Sequence, residues 1–171
     1  MATQTYNANP TLFAPSSQSF RKNNADTLWL KHSDTDSEED EDESPIDAQE
    51  VFDLLRSIND PEHPLTLEEL KVLSRDQVTV EGNHVTVEFT PTTPACGMAN
   101  VIGLAIMVRL YRSLPQRYKV RIGMTPGSHQ HVAQVTKQLN DKERVAAAME
   151  VDAIMESINN CLSTAGRRGE K

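Results

Sequence analysis

The stretch TPTTPACGMA, residues 90–99, joins a segment of alternating polar and apolar residues to a long apolar segment. Residues 84–90 alternate as a β-strand does, and residues 98–114 carry apolar side chains at helical spacing. Two prolines stiffen the approach to Cys96, one of two cysteines in the chain. We predict a strand–turn–helix unit in which the Cys96 thiol lies at a helix N-terminus, where unpaired N–H groups favour the thiolate.

Two further strands and a set of helices surround this unit. Residues 77–81 alternate, and the Gly82-Asn83 pair that joins them to residues 84–90 is typical of a β-hairpin turn. Residues 118–124 alternate again, and the order strand, helix, strand favours a parallel pair. Helices are predicted over residues 45–58, 98–114, 132–149 and 151–162. The fold class is therefore α+β, with a small mixed three-stranded sheet packed with about four helices.

Caps and prolines set the expected helix boundaries. Ser44 is predicted to cap the first helix, which Asp60-Pro61 ends. Thr66 is predicted to cap a short helical turn over residues 66–70, and Leu114-Pro115 to end the core helix.

The chain divides into a polar tail and one folded domain. Its 171 residues carry a net charge of −8, and eight carboxylates lie in an acidic block over residues 34–43. Residues 1–43 bury too little apolar surface to offset their chain entropy, so we predict a disordered tail there. A folded domain follows over residues 44–163, and residues 164–171 form a flexible tail. Because the remainder is close to neutral, nucleic-acid binding has no support.

Two apolar islands interrupt the predicted tail, NANPTLF at residues 7–13 and Leu28-Trp29-Leu30. Each is either a stray apolar cluster or a short linear motif that becomes ordered on a partner. We favour partner binding for the first island and leave the second open. The residues assigned to the partner-binding motif are Asn7, Asn9, Pro10, Leu12 and Phe13.

Several classes of protein are excluded. No apolar run approaches the roughly 18 residues of a membrane-spanning helix, and the N-terminus lacks the features of a secretory signal. Two cysteines are too few for a disulfide scaffold, so a reducing cytosolic or nuclear setting is expected. There is no Cys-x-x-Cys pair, no glycine-rich phosphate loop and no Gly-x-Ser-x-Gly elbow.

Cys96 and the histidines form the one plausible chemical constellation. If residues 84–90 and 118–124 are parallel neighbours, the turn with Cys96 and the turn with His129 and His131 lie at the same sheet edge. A histidine there would draw the thiol proton or join Cys96 on a soft metal, and His63 is a third candidate. The alternative for each residue is a structural role. One cysteine and scattered histidines make no closed metal site, and Cys161 is expected to be buried and inert.

Five motifs resemble the cytosolic iron–sulfur assembly component 2 family, and the resemblance covers about residues 46–163 almost continuously. They are DPEHPLTLEEL at residues 60–70, FTPTTPACGMA at 89–99, RSLPQR at 112–117, QLNDKERVAAA at 138–148 and, in the tail, NANP at 7–10.

The resemblance implies a non-enzymatic adaptor in the complex that hands iron–sulfur clusters to cytosolic and nuclear apoproteins, including DNA polymerases and helicases. The implied partners are a WD-repeat β-propeller subunit, a HEAT-repeat subunit and the apoprotein clients, without membrane or direct nucleic-acid contact. The family's reactive cysteine falls on Cys96. No cofactor is expected to stay bound, and a transient iron–sulfur cluster at Cys96 is the implied metal. The thiol has only half of a site within one chain, so a partner, a passing cluster or a second copy in a homodimer would complete it.

Three positions depart from the family pattern. Many members have histidine where Ala95 precedes the cysteine, which removes a base or ligand beside the thiol. Val132 and Thr136 replace the usual acid and asparagine, and His131 is a candidate to stand in for a lost group. Two alternatives therefore remain beside the adaptor. One is a thiol enzyme that uses Cys96 with a histidine, and the other is a pure scaffold in which Cys96 is structural.

If the acidic block is only a spacer, removing it leaves the domain intact. We expect deletion of residues 31–43 to change the melting temperature by less than a few degrees, measured by circular dichroism on the full chain. A large drop would show that the deleted segment packs on the domain.

Overall fold

The computed structural model describes residues 9–15, 45–163 and 165, in which a three-stranded sheet packs with five helices. The strands are β1 (Val78–Glu81), β2 (His84–Phe89) and β3 (Lys119–Met124). The helices are α1 (Ala48–Leu55), α2 (Ala99–Ser113), α3 (Val132–Leu139), α4 (Lys142–Met149) and α5 (Asp152–Leu162). The predicted α+β class with a mixed sheet is confirmed.

The sheet has the strand order β1-β2-β3. The hairpin pairs β1 with β2 antiparallel, and Gly82 takes the positive φ of 56° that its turn requires. The predicted parallel pairing of β2 with β3 is also confirmed, with Phe89 opposite Met124. Parallel strands need a long crossover, and α2 supplies it.

Helix α2 forms the centre of the hydrophobic core. Nine of its fifteen residues are buried, because it packs against the sheet, α1, α3 and α5 at once. The inner face of the sheet contributes Val85, Val87, Phe89 and Ile122, none of which is measurably exposed. The core therefore holds α2 from its first residue, Ala99, and with it the turn that leads into the helix.

The start of α1 differs from the sequence prediction. Asp47, not Ser44, is the N-cap, and its carboxylate accepts the Glu50 N–H at 2.8 Å. The Glu50 carboxylate accepts the Asp47 N–H in return, which completes a capping box. Thr66 does cap its turn as predicted, since its hydroxyl accepts the Glu69 N–H.

The single helix predicted over residues 132–149 is wrong, because the chain breaks between α3 and α4. Asp141 accepts the N–H groups of Glu143 and Arg144 as the N-cap of α4. The Asn140 side chain accepts the Ile122 N–H and donates to the Ile122 carbonyl, so it satisfies the free edge of β3. Polar side chains that bond backbone groups thus end one helix and begin the next.

Part of the predicted tail lies against the domain. Residues 9–15 are described, and the Phe13 N–H donates to the Glu69 carbonyl at 2.8 Å. The acidic block, Asn7 and the Leu28-Trp29-Leu30 island lie outside the described residues, as do residues 166–171. Among the described residues, no helix has the length and apolarity to cross a membrane.

The close packing of α2 on α3 can be tested at Gly103. A Cβ at Gly103 would collide with the Leu139 side chain, which is 2% exposed and has little room to move. We expect Gly103→Ala to lower the free energy of unfolding by about 1 kcal/mol in urea denaturation, because displacing Leu139 costs about 1–3 kcal/mol and the better helix propensity of alanine offsets about 1 kcal/mol of it. Gly97→Ala, where a Cβ meets nothing within 4 Å, is the matched control. Equal stability of the two variants would contradict this packing.

Candidate functional site

Two turns meet at the carboxyl ends of β2 and β3, as the sequence predicts. One is residues 90–98, which carry Cys96, and the other is residues 125–131. The Thr125 N–H donates to the Phe89 carbonyl, and the Gln130 N–H donates to the Pro94 carbonyl, both at 2.9 Å. These bonds clamp the second turn onto the first and hold the Cys96 turn in place.

A polar network braces the base of both turns. The Gln77 amide donates to the hydroxyls of Thr90 and Thr125 at 2.8 and 2.9 Å, and the two hydroxyls are 2.8 Å apart. Thr90 begins one turn and Thr125 begins the other. The network therefore fixes the start of one turn relative to the start of the other.

His129 supports the backbone of Cys96 and not its thiol. Its Nε2 atom lies 3.2 Å from the Cys96 carbonyl oxygen, while its Nδ1 atom accepts the His131 N–H at 3.1 Å. This pattern requires the proton on Nε2, which donates to the carbonyl. The His131 ring is exposed and lies edge-on to His129, with centroids 5.9 Å apart. Both predicted histidines are thus at the site, but neither forms a thiol–imidazole pair.

The thiol instead faces a carboxylate from a distant loop. Cys96 is 4% exposed, and its Sγ atom donates to Glu62 Oε2 at 3.6 Å. The loop that carries Glu62 is shaped by Asp60, whose Oδ1 atom accepts the N–H groups of Glu62 and His63. The His63 ring is buried with Nδ1 3.1 Å from the same oxygen, so it helps to hold this loop.

The electrostatics oppose the thiolate that the sequence suggested. Burial is the main cause that raises the pKa of Cys96, and with the negative charges of Glu62 and Asp60 it brings the pKa to about 11. The Met98 N–H, which bonds the sulfur, is the one contribution that lowers it. Because α2 begins only at Ala99, Cys96 precedes the helix and gains little from its dipole. At neutral pH the group is therefore a protonated thiol.

Cys161 borders the same loop from the other side. A cavity of about 320 Å³ is lined by Cys161, Asp60, Glu62, His63 and Met98, with further residues of the loop and α5. Cys161 is 2% exposed, and burial followed by the Asp60 charge raises its pKa to about 11. This agrees with the expectation of a buried side chain, and it places both thiols beside one acidic loop.

The described residues hold no group of three or more His, Cys, Asp or Glu side chains that fits a metal ion. Of the described residues, one thiol and the Glu62 carboxylate meet at Cys96, short of the four ligands of a closed zinc or iron–sulfur site. A cluster that binds here would need further ligands from outside these residues.

The three positions at which the resemblance implies a departure, Ala95, Val132 and Thr136, have different surroundings. The Ala95 methyl lines a depression of about 340 Å³ beside Cys96, together with His131 and Gln134. Val132 packs on the core, and the Thr136 hydroxyl accepts the Met124 N–H at the edge of β3. Thr136 thus has a structural task at that position.

Sequence reasoning missed Glu62 and Asp60. The Asp-Pro-Glu order signals a turn in which an aspartate bonds nearby N–H groups, and that signal was available. What it does not reveal is that the next carboxylate meets a thiol 34 residues away.

Known proteins with similar sequences share this region. Residues 48–123 match a family described as iron-sulfur cluster assembly protein. Over 132 residues the chain is 58% identical to cytosolic iron-sulfur assembly component 2B of Mus musculus, covering 75% of this chain and 81% of that protein. It is 53% identical over 135 residues to the Drosophila melanogaster MIP18 family protein galla-2, covering 77% and 86%. A Dictyostelium discoideum protein, also named cytosolic iron-sulfur assembly component 2B, is 45% identical over 161 residues, covering 91% and 96%.

The contact between Glu62 and the thiol gives a direct prediction. Glu62→Gln removes a negative charge beside Cys96, so the pKa of the Cys96 thiol falls from about 11 toward the ordinary 9.0. We expect the alkylation rate of Cys96 at pH 8 to rise roughly threefold or more, because the thiolate fraction rises with each unit of pKa lost. Peptide mapping by mass spectrometry separates Cys96 from Cys161. Glu88→Gln, on the exposed face of β2, is the control, and equal rates in the two variants would refute the contact.

Proposed function

The chain belongs to the cytosolic iron–sulfur assembly component 2 family, also called the MIP18 family, and we therefore propose that it is an adaptor in cytosolic iron–sulfur cluster assembly. In this role it helps to deliver clusters to cytosolic and nuclear apoproteins, and Cys96 is its functional thiol. The names of its relatives support the process. The geometry around Cys96 supports the role of the thiol.

The observation that carries the proposal is a buried thiol whose neighbours form an incomplete set of metal ligands. Cys96 has a carboxylate at 3.6 Å and a backbone N–H on the sulfur, and no imidazole of the described residues bonds it. A thiol binds metal only after it loses its proton. Glu62 lies where it can accept that proton as Sγ bonds to iron, and the remaining ligands come with the cluster or its carrier. The cluster is cargo in this scheme and not a resident cofactor.

Partners complete the site. We propose a WD-repeat β-propeller subunit, a HEAT-repeat subunit and apoprotein clients as the partners, with a homodimer as a further way to supply a second thiol. The complex would work in the cytoplasm and nucleus. Exposed apolar side chains available for such contacts include Leu12, Tyr111 and Val151, which are 47–60% exposed.

A thiol enzyme is the weaker alternative. Nucleophilic catalysis requires a thiolate and a base within hydrogen-bonding reach of it. The raised pKa of Cys96 keeps it protonated, and His129 donates to the carbonyl of the same residue. These contacts favour a thiol that is activated by a delivered metal over one that attacks a substrate unaided.

The role of the thiol is tested by Cys96→Ala. The alanine methyl fits where the buried sulfur lies, so we expect the fold and the binding of the propeller and HEAT-repeat subunits to persist. Iron–sulfur loading of client proteins should fall at least several-fold, measured as iron per purified client from cells that express the variant.

Cys161→Ala is the matched control, because it also removes a buried thiol beside the same acidic loop. Normal loading with Cys96→Ala would favour the pure scaffold. Turnover of a small thiol-reactive substrate by the isolated wild-type protein would favour the enzyme.

A further inference from the structure

A segment from the predicted tail is docked on the folded domain. We name residues 9–15 the strap. The Phe13 N–H donates to the Glu69 carbonyl at 2.8 Å, and the Phe13 ring lies under Lys71, with Nζ 4.9 Å from the ring centroid. That distance is within the range of a cation–π interaction. One backbone bond and one aromatic contact thus converge on the same turn of the domain.

The turn that receives the strap has an unusual residue at its end. Lys71 has a φ of 54° and is the one non-glycine residue with positive φ among those described. The Lys71 N–H donates to the Glu68 carbonyl and the Val72 N–H to the Leu67 carbonyl, which is the bonding pattern of a Schellman motif. Glycine is the residue that favours this position, since lysine is strained there. The side chain at this strained position is the one that contacts the Phe13 ring.

Phe13 contacts the turn through both its backbone and its ring. Leu12 is 60% exposed, whereas Phe13 is 42% exposed despite its larger side chain. The neighbouring apolar residue is thus available as an internal comparison.

We propose that the turn over residues 66–71 is a docking site for an extended segment with an aromatic side chain, and that its occupant is the strap of the same chain. The site recognises a free backbone N–H through the Glu69 carbonyl and an aromatic face through Lys71. A protein partner that takes Phe13 into a pocket of its own must first release the strap. The proposal concerns this surface alone and does not depend on the role of Cys96.

Amide hydrogen exchange by NMR on the full-length protein tests the docking. We expect the residue-13 amide to be protected at least tenfold over an unstructured peptide. Phe13→Ala and Lys71→Glu should remove this protection and shift the amide resonances of residues 69–73. Leu12→Ala should leave both unchanged.

Lys71→Gly separates docking from folding. Because glycine relieves the strain at positive φ, this variant should melt at or above the wild-type temperature while it loses protection at residue 13. Adding the peptide NANPTLFAP, residues 7–15, to the Phe13→Ala protein should restore the shifts of residues 69–73. The same peptide with alanine in place of phenylalanine should not.

Three results would overturn the proposal. The first is an unprotected residue-13 amide in the wild type. The second is an equal effect of Leu12→Ala and Phe13→Ala. The third is protection that disappears on dilution, which would place the strap on a second copy and not on its own domain.

Discussion

The contact between the Cys96 thiol and the Glu62 carboxylate is the constraint on which the site depends. The thiol is buried, the carboxylate is half-buried, and the thiol donates its hydrogen bond to the carboxylate at 3.6 Å. Burial and negative charge each disfavour the thiolate, so the resting state keeps its proton. A reagent that reacts only with a thiolate would therefore react slowly with Cys96. In the role proposed above, a metal that displaces the thiol proton would find the Glu62 carboxylate beside the sulfur to accept it.

The fold serves to hold that contact. Parallel pairing of β2 and β3 brings two turns to one edge, and the hydroxyls of Thr90 and Thr125 fix their starting points. His129 then bonds the carbonyl of Cys96, and Asp60 shapes the loop that brings Glu62 from the opposite side. The core helix α2, buried on most of its surface, anchors the turn from its far end. Each of these elements restrains the backbone near the thiol. The sulfur itself bonds the Glu62 carboxylate and the Met98 N–H.

Local sequence patterns predicted the sheet, whereas the helix break, the Glu62 contact and the Phe13 contact depend on residues far apart in the chain. The hairpin, the parallel pair and the meeting of the two turns follow from alternation, Gly82 and the length of the crossover. The break at Asn140-Asp141 was missed, because the apolar spacing continues through it while side-chain bonds to Ile122 end the helix. The approach of Glu62 and the docking of Phe13 join residues far apart in the chain. The sign of the Cys96 pKa shift depends on burial, which no local pattern contains.

The most direct test is the ionisation of Cys96 in the intact protein. Thiolate ultraviolet absorbance, taken as the difference between the wild type and Cys96→Ser, reports this one group. Since the pKa is about 11, we predict that about 1% of Cys96 is thiolate at pH 9. A thiol that is half ionised at pH 9, or fully ionised near neutrality, would contradict the buried, carboxylate-facing state from which the proposed role is derived.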